Sequence, residues 1–180
     1  MNKVRACLAM AGVWGCNTSE PAREQPRVQW PAASASNQAA RLSLSTNGTR
    51  SAAEIDALIA RSPVPVLAPS DRQLQKPTLS VGREYFAIAG REDGVTVHTQ
   101  GTRGAITHAD IAPMTGTREL RGTKGFVTVN EGIRTATWIE NAAAYSVDVE
   151  CSQSSDARCQ DDTYLLGFVN HLVFVGGAGP

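Results

Sequence analysis

Two histidines and one aspartate are the residues whose types could support metal binding or acid–base chemistry. His98 lies in a segment that alternates apolar and polar residues, and His108 stands two positions before Asp110 in a loop. A His-x-Asp pair with a further histidine across a hairpin can supply three metal ligands or orient a general base. The alternative is that all three are exposed polar residues around a glycine-rich loop. They remain candidates for a metal site, and we assign no catalytic residue and no cofactor.

Basic side chains cluster between residues 100 and 134. Arg103, Arg118, Arg121 and Arg134, together with Lys124, fall in predicted strands and the loops between them. If one sheet face gathered them, it could receive an anionic ligand such as a carboxylate or a phosphate. The alternative is a solvated face of alternating charge. The four arginines are therefore candidate ligand-binding residues.

The overall charge argues against one class of partner. The chain of 180 residues carries 17 basic and 17 acidic side chains. A neutral balance gives no electrostatic basis for binding nucleic acid. We therefore exclude nucleic acid as a partner. The length suits one core of ordinary size, and we predict a single domain over residues 51–180.

The elements that must position these residues are mostly strands. Ser51 is a predicted N-cap for a helix through residue 61. A proline-flanked segment at 64–67 suits an edge strand or an extended docking segment. Alternating segments predict strands at 85–89, 95–99, 126–130, 133–139 and 144–151, joined by turn residues at hairpin spacing. Asp161 or Asp162 can cap a C-terminal helix with an apolar stripe, followed by a short extended tail.

These elements predict an α+β fold. We expect an antiparallel meander sheet of about five or six strands, with a short N-terminal helix and a C-terminal helix packed on one face.

The N-terminus has the pattern of a secretory signal. Lys3 and Arg5 precede an apolar stretch from residue 6 to residue 15, which is too short to span a bilayer as a helix. Residues 17–50 follow, rich in Ser, Ala, Asn, Gln and Pro, and this composition predicts a disordered tether. Trp30 is the exception within it, and it either contacts the domain or a partner or has no role.

Val13, Gly15 and Cys16 resemble the lipobox of bacterial lipoproteins, in which an aliphatic residue and a small residue precede an invariant cysteine. Trp14 departs from that pattern, since the position is usually small or hydroxylated. The resemblance implies cleavage of residues 1–16 as a lipoprotein signal peptide and lipidation at Cys16, with ordinary secretion as the alternative. Because Asn17 replaces the aspartate that retains many such proteins at the inner membrane, the resemblance favours outer-membrane anchoring facing the periplasm.

Four cysteines can then be sorted. Cys7 would leave with the signal and Cys16 would carry lipid, so Cys151 and Cys159 remain as a pair across a polar loop. A structural disulfide is the natural state of such a pair in an oxidising compartment. A metal site or a redox dithiol is the alternative, although the chain has no C-x-x-C spacing.

A second resemblance covers about 45 residues from Gly132 onward. Trp138 with Glu140, then Tyr145 with Val147, a cysteine-bounded loop and an apolar helix are similar to the endings of uncharacterised proteobacterial lipoproteins. More loosely, they resemble extracytoplasmic domains of anti-sigma-factor-type proteins. These are packing positions, so no functional residue carries over.

Two functions remain open from the sequence. The first is a lipid-anchored periplasmic module that binds an envelope protein or a small molecule, which fits a chain with a tether, a disulfide and no catalytic set. The second is an envelope hydrolase or metal-dependent enzyme that uses His98, His108 and Asp110.

Overall fold

The computed structural model describes residues 27–104 and 114–179. The signal peptide with Cys16, and the candidate residues His108 and Asp110, lie outside these ranges. The helices are α1 (Gln38–Thr46), α2 (Ala52–Ile59) and α3 (Thr163–Asn170), with single 3-10 turns at Ala33–Ala35 and Ala157–Cys159. The strands are β1 (Val66–Pro69), β2 (Gln75–Val81), β3 (Tyr85–Glu92), β4 (Val95–Thr102), β5 (Arg118–Leu120), β6 (Thr123–Asn130), β7 (Ile133–Glu140), β8 (Ala143–Cys151) and β9 (Leu172–Gly176).

Seven strands form one antiparallel sheet in the order β2-β3-β4-β8-β7-β6-β5. The α+β class and the antiparallel sheet are confirmed, but the sheet has more strands than the predicted five or six. It is also two meanders joined along β4 and β8, where Val97 pairs with Val149. β5, the next strand in the sequence after β4, lies at the far edge of the sheet. Alternation along a strand does not specify its neighbour, so this junction could not be predicted.

Two-residue turns close four of the five hairpins of this sheet. Both central residues of each turn have positive φ, as in the type I′ turns that match the twist of paired strands. The turns are Asp93-Gly94, Arg121-Gly122, Glu131-Gly132 and Asn141-Ala142. Ala142 is the costly member, since an alanine at φ 56° lacks the freedom of glycine.

The core lies on the inner face of the sheet, which we define as the face carrying the fully buried side chains of β3, β4 and β8. Phe86, Val97 and Val147 belong to this face. Helix α3 contributes Leu165 and Phe168 to the same core and contacts β5, β7 and β8. The expected C-terminal helix on one sheet face is therefore present.

Helix α2 begins as its sequence predicts. The Ser51 hydroxyl accepts from the Glu54 amide, and the Glu54 carboxylate accepts from the Ser51 amide at 2.8 Å. This reciprocal capping box satisfies two amides that the first turn leaves unpaired. Ile55 and Ile59 then face the core.

Helix α1 lies inside the segment predicted to be a disordered tether. Asn37 caps it by accepting from the Ala40 amide, and Ala40 and Leu44 are buried. The helix contacts α2, β2 and β9. The expectation of disorder therefore fails for residues 27–50, because distant segments supply the surface that receives their apolar side chains, and Arg41 adds an ion pair with Asp56.

The C-terminal tail is a strand rather than a free extended end. β9 pairs antiparallel with β1 in a separate two-stranded sheet, with Ala68 opposite Val173. All four residues of β1 are buried. Trp30 packs against Gly177 and Gly179, where a Cβ would lie 2.1 Å and 2.4 Å from its ring atoms. Trp30 thus contacts the domain, which was one of the two interpretations left open.

The disulfide between Cys151 and Cys159 is present, with 6.2 Å between the two Cα atoms. Arg158 stabilises the loop between the cysteines by donating hydrogen bonds to the Asp156 carboxylate and to the carbonyl of Asp93. Its hydrogen bonds hold the pKa of Asp156 at about 2. The loop connects the end of β8 to the turn before α3, so the covalent bond fastens the helix to the sheet.

Candidate functional site

The outer face of the seven-stranded sheet is the face opposite the core. Its side chains alternate with the buried ones along each strand and are half-buried or exposed. Most are small or polar, as expected for the solvated side of an antiparallel sheet. The large exceptions are Tyr85 on β3, Phe126 on β6, and Ile133 and Ile139 on β7, although their chemistry suits the core.

A groove of about 400 Å³ lies on this outer face. Phe126, Ile139 and Ala144 give it an apolar floor, and Met114 lies along its side. Ile139 and Met114 are 58% and 79% exposed, which is unusual for side chains of this size. Gln100, Thr102, Lys124, Thr137 and Ser146 also line it, together with Gly116, Gly125 and the parts of β7 and β8 at Trp138 and Tyr145, whose own side chains are buried on the inner face.

One wall of the groove comes from the chain that precedes β5. Gly116 lies so close to β6 that a Cβ on it would be 2.3 Å from the Gly125 amide nitrogen. Only glycine permits this approach, because any side chain would collide with backbone that cannot move aside. This close approach of Gly116 places Met114, two residues earlier in the chain, beside the floor of the groove.

A row of polar side chains crosses the same face directly beside the groove. His98, Asp148 and Thr135 are cross-strand neighbours on β4, β8 and β7. Thr135 donates to the Asp148 carboxylate at 2.7 Å, and the Nδ1 atom of His98 lies 3.5 Å from its other oxygen. Each of the three stands two positions from a groove residue on its own strand, so the row forms the polar border of the groove.

The candidate metal site is only partly visible. Of its three residues the structure describes His98 alone, and its acidic neighbour is Asp148, which the sequence did not pair with it. Within residues 27–104 and 114–179, no group of three metal-ligating side chains is close enough to hold an ion.

The structure does not gather the candidate arginines into one basic surface. Arg121 forms a two-pronged pair with Glu140, at 2.7 Å and 3.2 Å, and also donates to the Leu172 carbonyl. Arg118 and Arg134 both pair with Asp162, at 3.0 Å and 2.6 Å.

Arg103 stands apart from these three. Its amide donates to the Glu84 carbonyl at 2.9 Å, at the end of β4. Among the candidate basic residues Lys124, which the sequence grouped with the arginines, is the one that lines the groove.

The groove residues were not singled out from the sequence, although a signal existed. In the strands at 126–130 and 133–139, every second residue packs inward, and the residues between them should be polar. Phe126 breaks that rule on β6, and Ile133 and Ile139 break it on β7. The register places Phe126 opposite Thr137, two residues before Ile139. Two apolar residues at outer positions of paired strands predict an exposed apolar patch.

No protein-family model, curated protein or solved structure matches this chain. In the part of the chain that the structure describes, none of the helices combines the length and apolar character needed to cross a membrane.

Proposed function

We propose that this protein is a binding module whose outer-face groove takes a small amphiphile with an apolar chain and an anionic end. The observation that carries the proposal is the groove itself, an apolar concavity on a sheet face that is otherwise polar. Its volume falls within the range of small-molecule sites, which are about 300–1,000 Å³ and mostly apolar with a few polar groups.

The lining fits the two parts of such a ligand. Phe126, Ile139 and Ala144 offer carbon surface to an alkyl chain. Lys124 stands at the rim and makes no ion pair with any residue in the described ranges, so its ammonium can meet a carboxylate or a phosphate. Gln100 and Ser146 supply further hydrogen-bonding groups to orient the polar end.

The proposed location is the cell envelope, with the protein anchored through lipid on Cys16 and facing the periplasm from the outer membrane. The disulfide supports a location outside the cytosol, since such bonds persist in oxidising compartments. The tether would then be residues 17–27, a segment that can extend to about 40 Å at most.

Direct binding tests the groove. A fluorescent undecanoate titrated into purified protein should bind saturably, and a charge placed on the apolar floor by Ile139→Lys should weaken binding at least tenfold. Leu42→Lys is the matched control, because Leu42 is an exposed side chain of the same size as Ile139 but lies on α1, away from the groove. Equal binding by both variants would remove the groove from consideration.

The head group is tested by pairing a variant with a second ligand. Lys124→Gln should weaken binding of the carboxylate, while an uncharged alcohol of the same chain length should bind that variant and the unmodified protein equally. If both ligands lose affinity equally, Lys124 acts on the groove's shape rather than on an anion.

A further inference from the structure

Within residues 27–104 and 114–179, one edge of the seven-stranded sheet has no strand paired along five residues of β6. β5 pairs with β6 only as far as Gly125, so residues 126–130 have β7 on one side and no strand from the described ranges on the other. These five residues, Phe-Val-Thr-Val-Asn, contain no charge, proline or glycine. Sheet edges normally carry such features because a bare edge pairs with other chains.

The opposite edge shows the usual protection. Strand β2 contains Lys76 and Pro77, and its pairing with β3 is irregular between Gln75 and Thr78. Lys76 also has φ of 47°, which turns the backbone away from a flat strand. Residues 126–130 of β6 lack these protective features, so this edge is suited to pairing with another strand.

The hairpin between β6 and β7 determines which backbone groups face outward. A two-residue turn at Glu131-Gly132 makes Asn130 and Ile133 a mutually hydrogen-bonded pair. Hydrogen-bonded and non-bonded pairs alternate along antiparallel strands. The amides and carbonyls of Val127 and Val129 therefore point away from β7, and the Val129 side chain is 55% exposed.

We propose that this edge pairs with the same edge of a second copy, antiparallel and centred on Thr128. In that register Val127 lies opposite Val129 of the second copy, and the reverse pair forms by symmetry. Both residues present outward amides and carbonyls, so the two pairs make four main-chain hydrogen bonds. The contact is the self-complementary kind that a two-fold axis requires.

The side chains agree with the same register. Val127 and Val129 share the inner side of the strand, so each dimer contact brings two valines together, and Thr128 meets Thr128 of the second copy. Both are favourable cross-strand pairs. A contact this short belongs to the weak class of interfaces, which bury less than about 1,200 Å².

Sedimentation equilibrium tests the dimer in protein carrying Cys7→Ser and Cys16→Ser. The mass should rise from one chain towards two as concentration increases to about 1 mM, the range of a weak complex. Val129→Pro removes an outward amide while leaving the β7 ladder intact, and Thr128→Lys places two charges on the axis. Each should raise the dissociation constant at least tenfold, whereas Ser80→Lys on the exposed edge of β2 should leave it unchanged.

Covalent capture keeps the proposal testable if a variant folds poorly. The Thr128 pair is non-hydrogen-bonded, with Cα atoms about 4.5 Å apart, which suits a disulfide. Thr128→Cys should therefore cross-link under mild oxidant much faster than Ser80→Cys. A single-chain mass at every concentration, or equal cross-linking of the two cysteine variants, would overturn the dimer.

Discussion

Arg134 joins the sheet to the segment that precedes α3. Its guanidinium donates to the Asp162 carboxylate at 2.6 Å and to the carbonyls of Cys159 at 2.8 Å and Gln160 at 2.6 Å. The side chain is 14% exposed, and its contacts with Asp162 and Cys159 are partly buried, whereas the contact with Gln160 is exposed. Arg118 reaches the same carboxylate with one nitrogen but is 53% exposed.

Two substitutions at one carboxylate should therefore differ in effect. Arg134→Ala should lower the free energy of unfolding by about 2–3 kcal/mol, because it leaves the partly buried Cys159 carbonyl without its donor and removes the less exposed of the two arginine partners of Asp162. Arg118→Ala should cost less than about 1 kcal/mol, as exposed pairs do. Urea unfolding of both variants measures the difference, and equal losses would contradict the assignment.

Two tyrosines are held in their neutral form. Burial raises the pKa of Tyr145 far above its ordinary value, and the hydroxyl donates to the Pro65 carbonyl at 3.0 Å. Burial, with a hydrogen bond to Glu92, raises the pKa of Tyr164 to about 12. Both phenols ionise near pH 10 in the unfolded chain.

Stability should consequently fall in alkali. A raised pKa in the folded state contributes stability that is fully present below about pH 10 and is lost as pH rises further, because only the unfolded chain then releases the protons. Each phenol adds about 1.4 kcal/mol per pH unit to the slope. Tyr145→Phe should make the decline between pH 10 and pH 12 shallower in urea unfolding, and an unchanged slope would contradict the burial argument.

At the scale of elements, the sequence predicts the local structure of individual helices, turns and strands, but it does not predict which distant segments pack together. The capping box at Ser51, the turn residues and the alternation of 144–151 act within a few positions, so the sequence contains them. The partners of α1 and β1 lie far along the chain, and no local pattern names them. The groove needed both kinds of information, since Phe126 and Ile139 meet only through the register of β6 and β7.

Two leucines of helix α1 test whether this segment packs against the domain. Leu44 is 2% exposed and Leu42 is 46% exposed on the same helix. Leu44→Ala should lower the free energy of unfolding by about 2–4 kcal/mol because it opens a cavity, whereas Leu42→Ala should change it by less than about 0.5 kcal/mol. If residues 27–50 were a disordered tether, the two substitutions would behave alike.

At the scale of the whole molecule, the proposed anchor places the domain close to a membrane. Cys16→Ser should move the protein from the membrane fraction to the soluble fraction of the cell envelope, because one residue carries the proposed lipid. Cys7→Ser is the control and should leave the distribution unchanged. Fractionation followed by mass spectrometry of the mature N-terminus checks both, and a membrane-bound Cys16→Ser protein would contradict the anchor.

Trp30 and its neighbour Gln29 also have a mechanical consequence. The Gln29 amide donates to the Asn141 carbonyl, and the indole of Trp30 sits against Gly177 and Gly179. A pull on the chain ahead of residue 27 would load these contacts, one of them with the turn between β7 and β8, before it reached α1. The packing of Trp30 on the two C-terminal glycines would therefore have to break before the force could pull α1 from the domain.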